Sequence, residues 1–244
     1  MDLNFKGKIA WVTGATGALG KAICETLAQE GATVCASART ADTVQSLAAE
    51  LGGLGVPMDA TDPAQAKAAA ETIVGAHGRI DILVNSVAVP AFGQFVDLEK
   101  ATFQAALDTK YLGYVACMQA ALPSMLTAGS GSIVNVTGTG GRMPIDIHVP
   151  GGSVNAALNL VTKALANQYG PEGVRVNAIS PGPVRSPRQD QMQAEGKNPA
   201  DGIPLKRFGE AAEVADAVAF MASDRASYIT GSILQLDGGG ILSL

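Results

Sequence analysis

The sequence predicts an α/β fold, a doubly wound parallel sheet in a single domain with helices on both faces. Three observations carry this. Short apolar runs alternate with helical patterns along the whole chain. The runs are apolar on both faces, as strands sandwiched between two helix layers must be. Their spacing leaves room for one helix between successive strands, which makes βαβ units with right-handed crossovers. A chain of 244 residues suits one such domain, and 47% hydrophobic content supplies its core.

The elements follow in order. Ile9 to Val12 reads as a strand and Ala18 to Gln29 as a helix. Thr33 to Ser37 is a strand and Thr43 to Leu51 a helix. Leu54 to Met58 is a strand and Pro63 to His77 a helix. Ile82 to Val84 is a strand, and helical periodicity then covers Leu98 to Leu126. Ser132 to Val136 is a strand, followed by a helix from Val154 to Tyr169. Arg175 to Ile179 is a strand, Ala211 to Ala222 a helix, and Ser232 to Leu236 the last strand. The stretch 181–208 is polar, rich in proline and glycine, and long for a plain connection. It follows a strand end, where such sheets bind ligands, and is expected to form a lid over the site.

Composition excludes several classes. The net charge of -5 and the lack of a basic stripe argue against a nucleic-acid surface. No segment is apolar and long enough to span a bilayer, and no apolar leader precedes the first strand. Cys24, Cys35 and Cys117 fit no zinc spacing and are expected to be buried thiols, so no metal is expected. A soluble cytoplasmic protein acting on a small molecule is the expectation.

After the first strand comes Thr13-Gly14-Ala15-Thr16-Gly17-Ala18-Leu19-Gly20. Gly14 permits a tight turn out of the strand. A small residue at Ala18 lets backbone approach a pyrophosphate. Gly20 lets the helix pack on the sheet. The helix N-terminus offers unpaired N–H groups and partial positive charge to phosphates. The position between a strand and a helix of the first βαβ unit gives the cluster its meaning. At the end of the second strand stand Ser37, Ala38 and Arg39. An acidic residue there would take a ribose 2′-hydroxyl. Arg39 instead suits a 2′-phosphate, so NADP(H) is expected over NAD(H). Asp59, beside Ala60 at the third strand end, is placed for the adenine edge.

With these residues the chain resembles the classical short-chain dehydrogenase/reductase family, and most the branch that includes the 3-oxoacyl-carrier-protein reductases. The resemblance spans nearly the whole chain. Its carriers are TGATGALG at 13–20, LVNSVA at 83–88, VRVNAISPGPV at 174–184, PLKRFGEAAEVADAVAFMAS at 204–223 and YITGSILQLDGG at 228–239. It implies a Rossmann-like domain, a nicotinamide cofactor and a homotetramer or homodimer. It adds Asn85, Ser86, Val87, Pro181, Gly182 and Val184 to the expected cofactor site.

The family's usual chemistry uses four groups. A tyrosine moves the proton, and a lysine lowers its pKa and holds the ribose. A serine holds the substrate oxygen, and an asparagine supports a water relay. Flanking residues set the register. AALNLVTKALA at 156–166 places the tyrosine position at Gly151 and the lysine position at Asn155. IVNVTG at 133–138 places the serine position at Gly138. FQAALDTKYLG at 103–113 places the asparagine position at Lys110. All four differ from the pattern, and Tyr111, Tyr114, Tyr169 and Tyr228 all lie outside the segment.

Other groups near these positions become the catalytic candidates. His148 can act as an acid or orient a carbonyl. Lys110 can take over the electrostatic or ribose-holding role. Asn155 can still hydrogen-bond a ribose. Thr137 and Thr139, with His148, can bind a substrate oxygen, and Asp146 is placed to pair with His148 or Lys110. Gly138, Gly140, Gly141, Gly151 and Gly152 suggest a wider site than usual, open to a bulky substrate. The expected activity is NADP(H)-dependent reduction of a carbonyl or activated C=C bond with a non-standard proton source. The competing readings are a catalytically inactive nucleotide- or partner-binding protein and, third, a lyase or isomerase that keeps the cofactor as structure.

Overall fold

A computed structural model describes residues 2–186 and 199–240. The first half runs β1 (Ile9–Thr13), α1 (Ala18–Gln29), β2 (Thr33–Ser37), α2 (Ala41–Glu50), β3 (Leu54–Gly55), α3 (Pro63–His77) and β4 (Ile82–Asn85). The second runs α4 (Lys100–Ala106), α5 (Gly113–Ala128), β5 (Gly131–Val136), α6 (Val149–Tyr169), β6 (Val174–Pro181), α7 (Ala211–Ala222) and β7 (Ile233–Leu236). The strands form one seven-stranded sheet in the order β3-β2-β1-β4-β5-β6-β7, parallel throughout. Chain order reverses between β1 and β4, which opens a crevice beyond their carboxyl ends.

The period-2 pattern builds two cores. Ala10 and Val12 of β1, with Ile82 and Val84 of β4, face the layer of α1, α2 and α7. Ile9 and Trp11, with Leu83 and Ile133, face the layer of α3, α5 and α6. The central strands β1, β4, β5 and β6 are covered on both faces, which is why their runs show no polar alternation. The three cysteines are buried free thiols, and burial pushes each up to about 12.

Element types match the expectation, and three elements differ by more than two residues or in kind. β3 is only Leu54–Gly55, although Val56 N and Met58 N beyond it still donate to Ala36 O and Ala38 O of the β2 side (2.8 and 2.9 Å). The expected helix over Leu98 to Leu126 is two α-helices joined by a π-helical turn, Leu107–Leu112. α6 starts five residues before Val154, at Val149. Its first turn carries Pro150, Gly151 and Gly152, poor helix formers in an interior but tolerated at an N-terminus. Of the expected lid, 187–198 lies outside the described residues. No helix among the described residues is long and apolar enough to cross a membrane.

Two buried polar arrangements lock the layers. Thr13 Oγ1 donates to Asn85 Oδ1 (3.2 Å), Asn85 Nδ2 to Asn135 Oδ1 (3.0 Å), and Asn135 Nδ2 to Thr162 Oγ1 (3.0 Å). This chain ties β1, β4, β5 and α6. The Arg175 guanidinium donates to the carbonyls of Met221, Ala222, Ser223 and Ile229 and to Ser132 Oγ. It thereby caps α7, whose last carbonyls would otherwise be left without partners. Arg175→Met should lower stability by about 2–4 kcal/mol, read from urea unfolding, because several enclosed acceptors lose their donor. An unchanged midpoint would show that water replaces the guanidinium without cost.

Candidate active site

The glycine turn folds as the spacing requires. Gly14 has φ +67°, and a Cβ there would come within 2.7 Å of Ser86 O. A Cβ at Gly20 would strike Gly14 O. Gly17 precedes α1 without a side-chain cap, so the first amides of that helix stay open to an anion. Thr16, Gly17 and Ala18 are exposed along a groove that continues past Arg39 and Asp59.

The far end of this groove carries the charge expected there. Arg39 is exposed, and no ion pair among the described residues occupies its guanidinium. Asp59 Oδ1 accepts from Thr61 N and Thr61 Oγ1, both at 2.9 Å, which holds its carboxyl below the usual range, with a smaller contribution from Arg39. Ser37 lines this groove. It is fully buried, and its hydroxyl accepts from Trp11 Nε1 at 2.9 Å. Asn85 is likewise fully buried, its amide spent on the Thr13 and Asn135 bonds. Both residues shape the groove through backbone and packing. Ser86, Val87, Ala88 and Leu19 line this groove and also the neighbouring cavity, so the two are continuous.

That cavity, of about 580 Å³, lies at the carboxyl ends of β4, β5 and β6. Its walls include Lys110, Thr137, Gly138, Thr139, His148, Gly151 and Asn155, with Pro181, Gly182 and Val184 on the β6 side. The four positions fixed by register therefore converge, although 45 residues separate Lys110 from Asn155 in the chain (155 − 110).

Each side chain is held by a distinct cause. Lys110 projects from the π-helical turn, a device often found at functional sites. Its Nζ donates to Thr137 O at 2.9 Å and lies 5.9 Å from the centre of the Tyr114 ring. Stem atoms retain some exposure, but the ammonium end is enclosed. Burial pushes its pKa from 10.5 to about 8, and no carboxylate among the described residues pairs with it. The Tyr114 hydroxyl lies 3.0 Å from Val87 O and 2.9 Å from Val136 O, inside the core, so this tyrosine is no substitute for the family's proton carrier.

His148 immediately precedes α6. Its Nδ1 is 3.1 Å from Ala91 O, and its ring stacks on Phe92 with centroids 4.3 Å apart and planes at 20°. A carbonyl only accepts, so this bond assigns the hydrogen to Nδ1. A Cβ built on Gly151 would collide with the His148 ring at Cε1 and Nε2. The imidazole thus fills the space into which a side chain at 151 would project. Ala91 and Phe92 give no sign of this role in the sequence, since 57 residues separate Ala91 from His148.

The expected widening by glycine needs correction. A Cβ on Gly141 would come within 2.8 Å of the Asn155–Ala156 backbone, and one on Gly152 within 2.9 Å of Gly140 O. These glycines let the turn Thr139–Gly141 press against α6, and backbone takes the space that their missing side chains leave. Asn155 covers Gly138, with Nδ2 2.9 Å from where a Cβ at 138 would stand. Its Oδ1 is enclosed without a hydrogen-bond partner, as is Ser86 Oγ. Thr137 Oγ1 donates to Ile179 O at 3.2 Å, so its hydroxyl offers only lone pairs to a ligand. Thr139 is buried at the cavity wall. Asp146 is exposed, and among the described residues it pairs with neither Lys110 nor His148.

A parallel sheet with a glycine turn at its order reversal and a cavity at the same edge defines a Rossmann-like protein. The comparisons agree. The family model described as enoyl-(acyl carrier protein) reductase matches residues 14–240. The 3-oxoacyl-[acyl-carrier-protein] reductase of Thermotoga maritima is 33% identical over 251 residues, covering 98% of this chain and 100% of that protein. The D-threitol dehydrogenase of Mycolicibacterium smegmatis is 36% identical over 252 residues, covering 98% and 94%. The structure of L-sorbose reductase from Gluconobacter frateurii, complexed with NADPH and L-sorbose, superposes with a TM-score of 0.92 at 28% identity, over 100% of both chains. The chain belongs to the short-chain dehydrogenase/reductase family.

The Lys110 environment has a stability consequence. The folded-state pKa lies below the unfolded one, so burial of the charge costs stability in full below pH 8. That cost fades as pH rises from about 8 to 10.5, where the folded chain sheds its proton first. Lys110→Met should therefore stabilise the protein at pH 7 by up to about 3 kcal/mol and by much less at pH 10. Equal effects at both pH values in urea unfolding would refute this.

Proposed function

We propose that the protein is an NADP(H)-dependent oxidoreductase that reduces a carbonyl, or an activated C=C bond, of an apolar small molecule by a non-standard proton source. The observation that carries this reading is the placement of His148. Its imidazole stands where a side chain at 151 would point, in one cavity with Lys110 and continuous with the groove of the glycine turn.

The residues present fit the cofactor. Open amides at the start of α1 suit a pyrophosphate, and Arg39 suits a 2′-phosphate with no acidic residue at 37–39 to oppose it. Asn155 Oδ1 and Ser86 Oγ are enclosed and lack partners, which suits ribose and amide groups beside the cavity. When bound, the cofactor supplies the hydride.

The chain's own residues then polarise and protonate. The Lys110 ammonium, fixed by Thr137 O, favours negative charge developing on the substrate oxygen. Lys110 and Asn155 occupy each other's family positions, so the cation reaches the same cavity from the π-helical turn rather than from α6. His148, held at Nδ1 by Ala91 O and against Phe92, transfers a proton at Nε2. Thr139 supplies a hydroxyl beside the substrate oxygen. Exposed Leu107, Leu112 and Leu160 on the π-helical turn and α6 support a homo-oligomer, dimer or tetramer.

The test is oxidation of NADPH with a panel of apolar ketones and enones. His148→Ala and Lys110→Ala should each lower kcat/KM by roughly 10²–10³-fold. Turnover should fall as pH rises through about 8, where Lys110 loses its charge, and this limb should vanish in Lys110→Ala. Arg39→Ala should weaken NADPH binding by about 10–100-fold and leave NADH binding nearly unchanged. Binding of neither cofactor would end the oxidoreductase reading.

A further inference from the structure

We propose that Lys110 is also a carbonyl-capturing amine, forming a reversible imine with apolar aldehydes and ketones in the cavity. This rests on the reading above only in that carbonyl compounds enter there.

An amine captures a carbonyl when it is neutral, reachable and free of an anionic partner. Several other described lysines lack this combination. Lys8, Lys21 and Lys67 lie within 3.8 Å of the carboxylates of Asp224, Glu25 and Glu71. Lys163 is exposed on α6, away from the cavity. Among the described residues, Lys110 alone of the cavity walls carries an amine, and no aspartate or glutamate joins it there. Among the same residues, the titratable groups near it are His148 on the same cavity wall and Tyr114, whose ring lies 5.9 Å from Nζ. Thr137 O takes one N–H. A neutral amine keeps a second N–H and its lone pair, so this bond orients the nucleophile without consuming it. Desolvation of the ammonium, which brings its pKa to about 8, leaves roughly 10² times more free amine at pH 7 than at an ordinary lysine.

The step balances without a further reagent. The Lys110 nitrogen lone pair attacks the carbonyl carbon, and the C=O π pair moves to oxygen, which takes a proton. The carbinolamine then loses its oxygen as water, with two hydrogens, and nitrogen forms the C=N bond. No oxidant or reductant takes part, and His148 is placed to exchange the protons. Expelling water from an apolar cavity favours the imine.

Cyclohexanecarbaldehyde with cyanoborohydride at pH 7, on the full chain without cofactor, reads this directly by peptide mass spectrometry. Lys110 should gain the cyclohexylmethyl group at least about ten-fold faster than Lys163 in the same molecules, and its labelling should rise as pH approaches 8. Lys110→Arg should label only at surface lysines. Labelling of Lys110 no faster than Lys163 would overturn the proposal, and the comparison needs no variant to fold. Labelling without NADPH turnover would keep the imine site and remove the reductase reading. Turnover without labelling would do the reverse.

Discussion

The chain of hydrogen bonds from Thr13 through Asn85 and Asn135 to Thr162 is the constraint on which the rest depends. It runs through the buried centre of the sheet, where an unpaired amide costs more than its bond returns. A register slip of one residue in β4 or β5 would strand these groups against the apolar layer. The chain therefore fixes which residues stand at the carboxyl ends of β1, β4 and β5. Gly14, Ser86 and Thr137 follow at those ends, and the cofactor groove and the cavity are built on them.

Glycine does two kinds of work at this edge. At Gly14 and Gly20 it allows backbone to meet backbone, so that the first helix starts against the sheet. Around Gly141 and Gly152 the same close approach seats the turn after β5 on the first turn of α6. Gly151 is different, because its missing side chain is replaced in space by the imidazole of His148. On the other wall, Lys110 is a cation held away from water and, among the described residues, from carboxylates, which is a destabilising arrangement.

Much of the fold was legible because it depends on local pattern. Apolar runs give parallel strands, and their spacing gives the crossovers. The glycine turn was legible for the same reason. Where the pattern misled, a neighbour distant in sequence had intervened. The helix expected from Val154 begins at Val149, with Gly151 and Gly152 in a first turn that the turn after β5 packs against. Ser37 and Asn85 read as cofactor contacts, and their side chains also bond Trp11 and Asn135, which the pattern did not show. The glycines read as open space, but opposing backbone fills it.

By itself the sequence determined the fold class, the alternation of strands and helices, and the phosphate turn. Tertiary structure alone decided that His148 occupies the side-chain space of Gly151 and that Ala91 and Phe92 orient it. It also decided that Lys110 reaches the cavity as an enclosed cation. The physical reason is distance along the chain. Composition and periodicity encode what a residue does to its own element, whereas the protonation and reach of a side chain are set by groups that only packing brings near.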